Sequence, residues 1–315
     1  MPKHSKPRAG SLQFWPRKRA KKILPSVNWD AINSEDAKLK GFIAYKVGMS
    51  SAYVRDNTEE SMTKTKRIII PVTILECPLM KIYSVRFYKD RKVAKDVIVG
   101  FDDKLKSKLK KPKSFGKIEK TEGYDDLRLI VYSVLKPTGL KNSPDLTEIG
   151  LGGSFEDKLK FVQEKIETGF SVSDVFSAPG VLADIRGITT GKGLQGPVKR
   201  FGISLKDHKS EKGRRRPGSL AAWTPSRVTF RTPMAGQTGF QTRPEYNKMI
   251  VNMGKLSETD INKEEGFHRY GKIKSDYIVL KGSIPGVKKR GLLITRALRP
   301  TKLTSKQKLE FIEFR

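Results

Sequence analysis

The chain has a single cysteine, Cys77, in 315 residues. An internal disulfide framework is therefore excluded, and with only three histidines no zinc-finger spacing is possible. No apolar run approaches the ~20 residues that a membrane-spanning helix needs. The basic N-terminus is not followed by an apolar stretch, so no secretory signal is expected. These absences point to a soluble chain in a reducing, cytoplasmic setting. Catalytic groupings are also missing. His4, His208 and His268 lie in basic or polar stretches, without a nucleophile and an acid beside them. No enzymatic activity, cofactor, metal or small-molecule substrate is expected. Negative charge is scarce, with 33 acidic residues against 64 basic ones and a net charge of +31. Self-repulsion at that level calls for a counter-charge, and nucleic acid is the leading candidate, ahead of an anionic membrane surface.

What is present is organised around residues 187–246. Between Arg186 and Arg231 there are twelve Lys and Arg and two acids, Asp207 and Glu211. Residues 187–246 also hold nine Gly and five Pro, and from Ser204 to Arg227 the sizeable apolar side chains are Leu205, Leu220 and Trp223. Such a stretch cannot bury enough apolar surface to offset its ordering entropy. The expectation is that it folds against a polyanion. Arg214, Arg215 and Arg216 supply planar forks that suit phosphate. Phe201, Phe230 and Phe240 are interleaved with Lys199, Arg200, Arg227, Arg231 and Arg243, a mixture that fits structured RNA with unpaired bases. Trp223 sits among small residues. It is either an anchor in the parent domain or an exposed residue that stacks on a base.

The N-terminal 25 residues carry eight basic residues and no acid, with four prolines. They read as an extended arm, with Arg17, Lys18, Arg19, Lys21 and Lys22 on phosphates. Strand composition marks residues 42–49, 67–76, 80–88, 93–101 and 127–135, then 181–188, 248–253, 276–280 and 291–298. Pro71 hints at an edge or a bulge. Several strands without long helices between them imply an antiparallel barrel or compact sheet, built from both sides of the basic stretch. Residues 153–170 read as the one clear helix, with Ser154 and Asp157 as a capping box and an apolar stripe at Phe155, Leu159, Val162 and Ile166. The lysine run at 104–120 is either solvated surface or a second nucleic-acid contact. A Gly/Pro-rich basic turn at 281–290 carries Lys288, Lys289 and Arg290.

Gly191, Gly193 and Gly196 spell G-x-G-x-x-G, but Pro197 and VKRFG follow and no βαβ context surrounds them, so a dinucleotide fold is not supported. A P-loop reading fails because the spacing is one residue short and Gly193 replaces the required Ser or Thr. What the two motifs share is retained as an expectation: glycines that let backbone N–H groups approach phosphate, with Lys192 beside them.

The stretches DIRGITTGKGLQGPVKRFG (184–202), GRRRPGSLAAWTPSRV (213–228), MAGQTGFQTR (234–243) and YIVLKGSIPGVKKR (277–290) together resemble the large-subunit ribosomal protein three family. GSLQFWPRKRA (10–20) resembles its archaeal and eukaryotic branch. The resemblance implies a mainly β fold with some α: a six-stranded β-barrel of the translation-protein type, with long basic extensions that are not globular. It implies a basic arm at 1–40, a globular domain at 41–186 and 247–315 with a helical insertion around 153–177, and an RNA-penetrating extension at 187–246. It implies a structural role in the large subunit, early in assembly, with the extension approaching the peptidyl transferase centre and Trp223 at its tip. The implied partners are large-subunit rRNA and neighbouring ribosomal proteins. The glutamine that the bacterial branch methylates is replaced here by Ala222 and Trp223, so that modification is not carried over. Lys192, Gln195 and Gln237 within the matched stretches, and His208 and Lys209 between two of them, join the basic residues named above as candidate rRNA contacts.

Overall fold

The computed structural model describes residues 10–34, 36–116, 118 and 123–315, apart from the side chain of Leu303. The first nine residues of the basic arm, and Lys117, Glu119 and Lys120 of the lysine run, lie outside the described residues. The chain divides into two compact units. Unit 1 joins Met1–Lys22 to Ile188–Thr242, and unit 2 joins Ile23–Gly187 to Arg243–Arg315.

The architecture is mainly β. Among the described residues the strands are β1 (Gly41–Asp56), β2 (Arg67–Cys77), β3 (Met80–Lys89), β4 (Lys92–Ile98), β5 (Asp126–Ser133), β6 (Leu146–Gly150), β7 (Leu182–Ile188), β8 (Leu194–Gln195), β9 (Gly236–Gln237), β10 (Thr242–Gly254), β11 (Asp276–Lys281), β12 (Gly291–Arg296) and β13 (Leu309–Phe314). The α-helices are α1 (Phe155–Thr168), α2 (Pro197–Phe201) and α3 (Lys302–Lys306).

The largest sheet runs β12-β7-β10-β11-β2-β1-β13, and β12 pairs with β1 as well. Its strands come from both sides of the basic stretch, as the sequence pattern implies. The strands read as apolar runs because both faces are covered. Neighbouring residues on a strand point to opposite faces. Leu75 and Ile278 belong to one core cluster, and Ile74 and Val279 to the other. Pro71 is accommodated as expected of a residue without an N–H. The register of β11 with β2 ends at Val72, Ser51 of β1 lies opposite Pro71, and on the β11 side Pro71 uses its carbonyl, which accepts from the Gly282 N–H at 2.8 Å.

The strands read at 80–88, 93–101 and 127–135 do not join the large sheet. They form a second one, β4-β3-β5-β6. Strand composition cannot distinguish these cases, because partner choice is a long-range decision. Two strands of the larger sheets were not anticipated. β6 (LTEIG) is short and half-buried along much of its length, and β13 (LEFIEF) alternates acids with apolar residues. Helix α1 starts where its sequence says: the Ser154 hydroxyl accepts from the Asp157 N–H at 3.3 Å. The reciprocal half of the expected capping box is replaced. The Asp157 carboxylate accepts from the Ser154 hydroxyl at 2.5 Å. The full box forms after the helix, at Ser171 and Asp174. Val162 is fully buried, and Phe155, Leu159 and Ile166 pack against the core.

Asp184 ties the large sheet together from a fully buried position. Its carboxylate accepts from the N–H of Asn247 in β10 and from that of Leu298 just past β12, both at 2.9 Å. A buried carboxylate satisfied in this way cannot be truncated without stranding two amides. Asp184→Ala is expected to cost about 3 kcal/mol of stability. A urea-unfolding midpoint equal to the parent's would show that these two bonds do not support the sheet.

Candidate nucleic-acid interface

Unit 1 is small and strongly cationic, with nineteen basic residues and two acidic ones. Its regular structure is minimal. β8 and β9 pair antiparallel, with Leu194 opposite Gln237 and Gln195 opposite Gly236. The ladder continues past the strands: the Lys192 N–H donates to the Thr238 carbonyl and the Thr238 N–H to the Gly193 carbonyl, each at 2.9 Å. Of the backbone N–H groups in the glycine-rich run, this engages that of Lys192. The Lys192 amide is committed to the hairpin, and the helix that follows, α2, has five residues. The Lys192 side chain is exposed. Gln195 and Gln237 also turn inward. Their amides donate to the carbonyls of Lys192 at 2.8 Å and of Gly239 at 3.1 Å.

The unit's apolar centre is Phe201, which ends α2 and is buried. Trp15 stacks on it at 5.9 Å and meets Phe230 edge-on at the same distance. The N-terminal arm is therefore packed within the unit at Trp15, while its Lys18 and Arg19 side chains remain exposed. Arg17 and Arg200 are half-buried and lie against Phe201.

From Ser204 to Arg231 the side chains are almost all exposed. His208, Lys209, Arg214, Arg215, Arg216, Arg227 and Arg231 all belong to this exposed set, and Lys199 in α2 is exposed as well. Local bonds shape the stretch. The Arg214 Nε donates to the Lys206 carbonyl at 3.1 Å, and the Lys206 N–H donates to the Arg214 carbonyl at 3.1 Å. His208 Nδ1 lies 2.7 Å from the Asp207 carboxylate. Trp223 is 96% exposed. Of the two readings open for it, the packed anchor is ruled out.

Unit 2 holds the remaining candidates. Arg243 lies half-buried on β10, and Lys288, Lys289 and Arg290 form the turn before β12. This turn is held by a residue that sequence reasoning missed, Lys46 on β1. Its buried amine donates to the Ile284 carbonyl at 2.7 Å and the Gly286 carbonyl at 3.2 Å. Its backbone bonds the same turn: the Lys46 N–H donates to the Arg290 carbonyl at 3.0 Å, and the Lys289 N–H donates to the Lys46 carbonyl at 2.7 Å. Burial pushes the Lys46 amine below the ordinary lysine value, and Glu245 works against that shift. The signal was present as one cation inside the apolar run FIAYKVGM.

Elsewhere in unit 2 the charges pair with one another. Arg128 pairs with Asp30 at 2.7 Å, Asp126 at 3.2 Å and Glu148 at 3.4 Å. Arg86 pairs with Asp96 at 2.8 Å and Glu148 at 3.0 Å. Burial pushes the Asp126 carboxyl up, but Lys158 at 2.6 Å outweighs it and holds the group below its usual range. Of the lysine run, Lys108 lies 3.6 Å from Asp145.

Comparison with known proteins gives one consistent result. The family model described as "Ribosomal protein L3" matches residues 1–111 and 100–315. The large ribosomal subunit protein uL3 of Archaeoglobus fulgidus is 37% identical over 317 residues, covering 95% of this chain and 94% of the relative. That of Methanocorpusculum labreanum is 38% identical, covering 93% and 92%. That of Nanoarchaeum equitans is 36% identical, covering 100% and 98%.

Replacing Lys46 tests the support of the basic turn. Lys46→Met leaves the Ile284 and Gly286 carbonyls without their donor. It should cost about 1–3 kcal/mol and speed amide exchange at Lys289 more than at core amides of β2. Exchange at Lys289 that matches the parent's would mean the turn does not depend on this amine.

Proposed function

The chain belongs to the ribosomal protein L3 family, and from that premise we propose that it is a structural constituent of the large ribosomal subunit that binds rRNA through unit 1 and the turn at Lys288, Lys289 and Arg290. It is not an enzyme. Its partners are large-subunit rRNA and neighbouring ribosomal proteins, and its place is in the cytoplasmic ribosome. The observation that carries the RNA-binding reading is the stretch from Ser204 to Arg231, exposed along nearly its whole length, strongly basic, and carrying a bare Trp223.

The physics of binding follows from those side chains. Lysines and arginines displace counterions condensed on the RNA backbone, which gives affinity that falls with salt. Arg215 and Arg216, exposed in series, present planar forks to phosphate oxygens. Trp223 offers both faces to unpaired bases, worth ~1–3 kcal/mol per base stacked. Ordering the stretch costs conformational entropy that RNA binding must offset, so it orders on binding. The pairing of β12 with both β7 and β1 supports a finer reading of the fold, in which β1, β2, β7, β10, β11 and β12 close into the six-stranded barrel of translation proteins. The finer functional reading places unit 1 within the RNA near the peptidyl transferase centre and the protein among those that join the subunit early.

Two experiments test the proposal. Changing Arg214, Arg215 and Arg216 together to Ala should weaken binding to a large-subunit rRNA fragment. It should also reduce the slope of log K against log salt by roughly 0.7–0.9 for each phosphate that is no longer neutralised. An unaltered slope would remove these arginines from the interface. Trp223→Ala should leave the unfolding transition unchanged, because the side chain is bare, yet slow maturation of the large subunit. Parental maturation and translation in that strain would remove the tryptophan from the functional surface.

A further inference from the structure

Two guanidinium groups in unit 1 share one aromatic ring. The Cζ of Arg17 lies 4.7 Å from the Phe201 ring centroid, and that of Arg200 lies 5.2 Å from it. The two residues also meet directly, with the Arg17 Nη1 3.5 Å from the Arg200 carbonyl. The Arg200 Nη1 donates to the Met234 carbonyl at 3.0 Å, while its Nε is buried and has no hydrogen-bond partner. Among the described residues, neither arginine is paired with an acidic side chain. Burial lowers the Arg200 guanidinium from its ordinary value, and the charge of Arg17 lowers it further.

Two glycines make room for this arrangement. A Cβ at Gly236 would lie 2.8 Å from the Arg200 Nη1 and 2.9 Å from its Cζ. A Cβ at Gly10, where φ is +88°, would collide with the Arg17 guanidinium. The chain thus brings two like charges onto one ring, with the Trp15 ring 5.3 Å from the Arg17 Cζ as a second aromatic neighbour, and leaves no side chain at Gly10 or Gly236 to fill the space beside them. Like charges beside one ring, partly removed from water, repel. The attraction of each to the ring offsets part of that, and the unpartnered Nε adds a further cost. What relieves the repulsion is an anion with several acceptor oxygens that both forks reach.

We propose that Arg17 and Arg200 together form a single phosphate subsite, in which one phosphate group accepts hydrogen bonds from both guanidiniums and holds the N-terminal arm against Phe201. That the phosphate is a phosphodiester of RNA rests on the ribosomal reading above. That the two arginines act as one site does not.

Arm docking has a direct reporter. The Ala20 N–H donates to the Phe240 carbonyl at 2.8 Å, so its hydrogen exchange is slow only while the arm is docked. Exchange at Ala20 is to be followed in the full-length protein with sodium phosphate, and with sodium chloride at the same ionic strength. Phosphate should slow exchange by roughly tenfold or more, as expected for charge-assisted hydrogen bonds, while chloride should not. Arg200→Gln should abolish the effect. Arg200→Lys, which keeps the charge and loses the fork, should abolish most of it. Equal protection by chloride would mean screening and an adventitious ion only, and phosphate protection that survives in both variants would equally overturn the subsite. A large-subunit rRNA fragment then identifies the source of the phosphate. With this RNA, Arg200→Gln should weaken binding and lower its salt slope. If that variant loses protection by phosphate but binds the RNA like the parent, the assignment of the subsite to RNA is wrong, and the ribosomal reading then stands or falls on the arginines at 214–216.

Discussion

Uncompensated positive charge is the constraint on which the structure turns. The net charge of +31 is not spread evenly. Unit 1 carries nineteen of the basic residues and two of the acidic ones, so it holds more than half of the net charge in about a quarter of the chain. Unit 2 pairs its acids internally, in the network that links Asp30, Arg86, Asp96, Asp126, Arg128, Glu148 and Lys158. Unit 2 still has forty-five basic residues against thirty-one acidic ones, but a number of its basic side chains are paired within it. The charge of unit 1 exceeds what its two acids can answer, and a polyanionic partner completes it.

The same division appears in the packing. Unit 2 builds its strands from residues buried on both faces, and its buried carboxylates are matched. Asp184 collects two amides, and Glu76 collects the Tyr270 hydroxyl and the amides of Lys274 and Ser275. Unit 1 has one buried aromatic, Phe201, and a two-residue ladder. The little order it has is concentrated where Trp15, Phe201 and Phe230 meet. Beyond them its side chains face outward. Such an inversion suits the proposed reading of unit 1, in which the surface it is to bury belongs to another molecule.

Legibility in the sequence follows the range of the interaction involved. The strands with dense β-branched residues were readable, as were the cap at Ser154 and the basic, apolar-poor character of the stretch around Trp223, because each depends on neighbouring residues. β13 was hidden by its glutamates, which are tolerated because it pairs along the rim of β1 at Ala52 to Asp56. Nothing local to the glycine-rich run at 191–196 shows that the Thr238 carbonyl takes up the Lys192 N–H. Lys46 looked like an ordinary strand lysine, and its role depends on carbonyls at Ile284 and Gly286, more than two hundred residues away.

The sequence by itself determined the class of partner, the absence of a catalytic grouping and the location of the basic stretch, because charge and apolar content are sums over residues and need no coordinates. Its resemblance in four stretches pointed to the family. The tertiary structure decided which residues act together. It separated β3, β4 and β5 into their own sheet, left Trp223 bare, turned Gln195 and Gln237 back onto the hairpin, and placed Arg17 beside Arg200 on one ring. Each of those outcomes depends on which segments meet in space, and no local pattern of residues encodes that meeting.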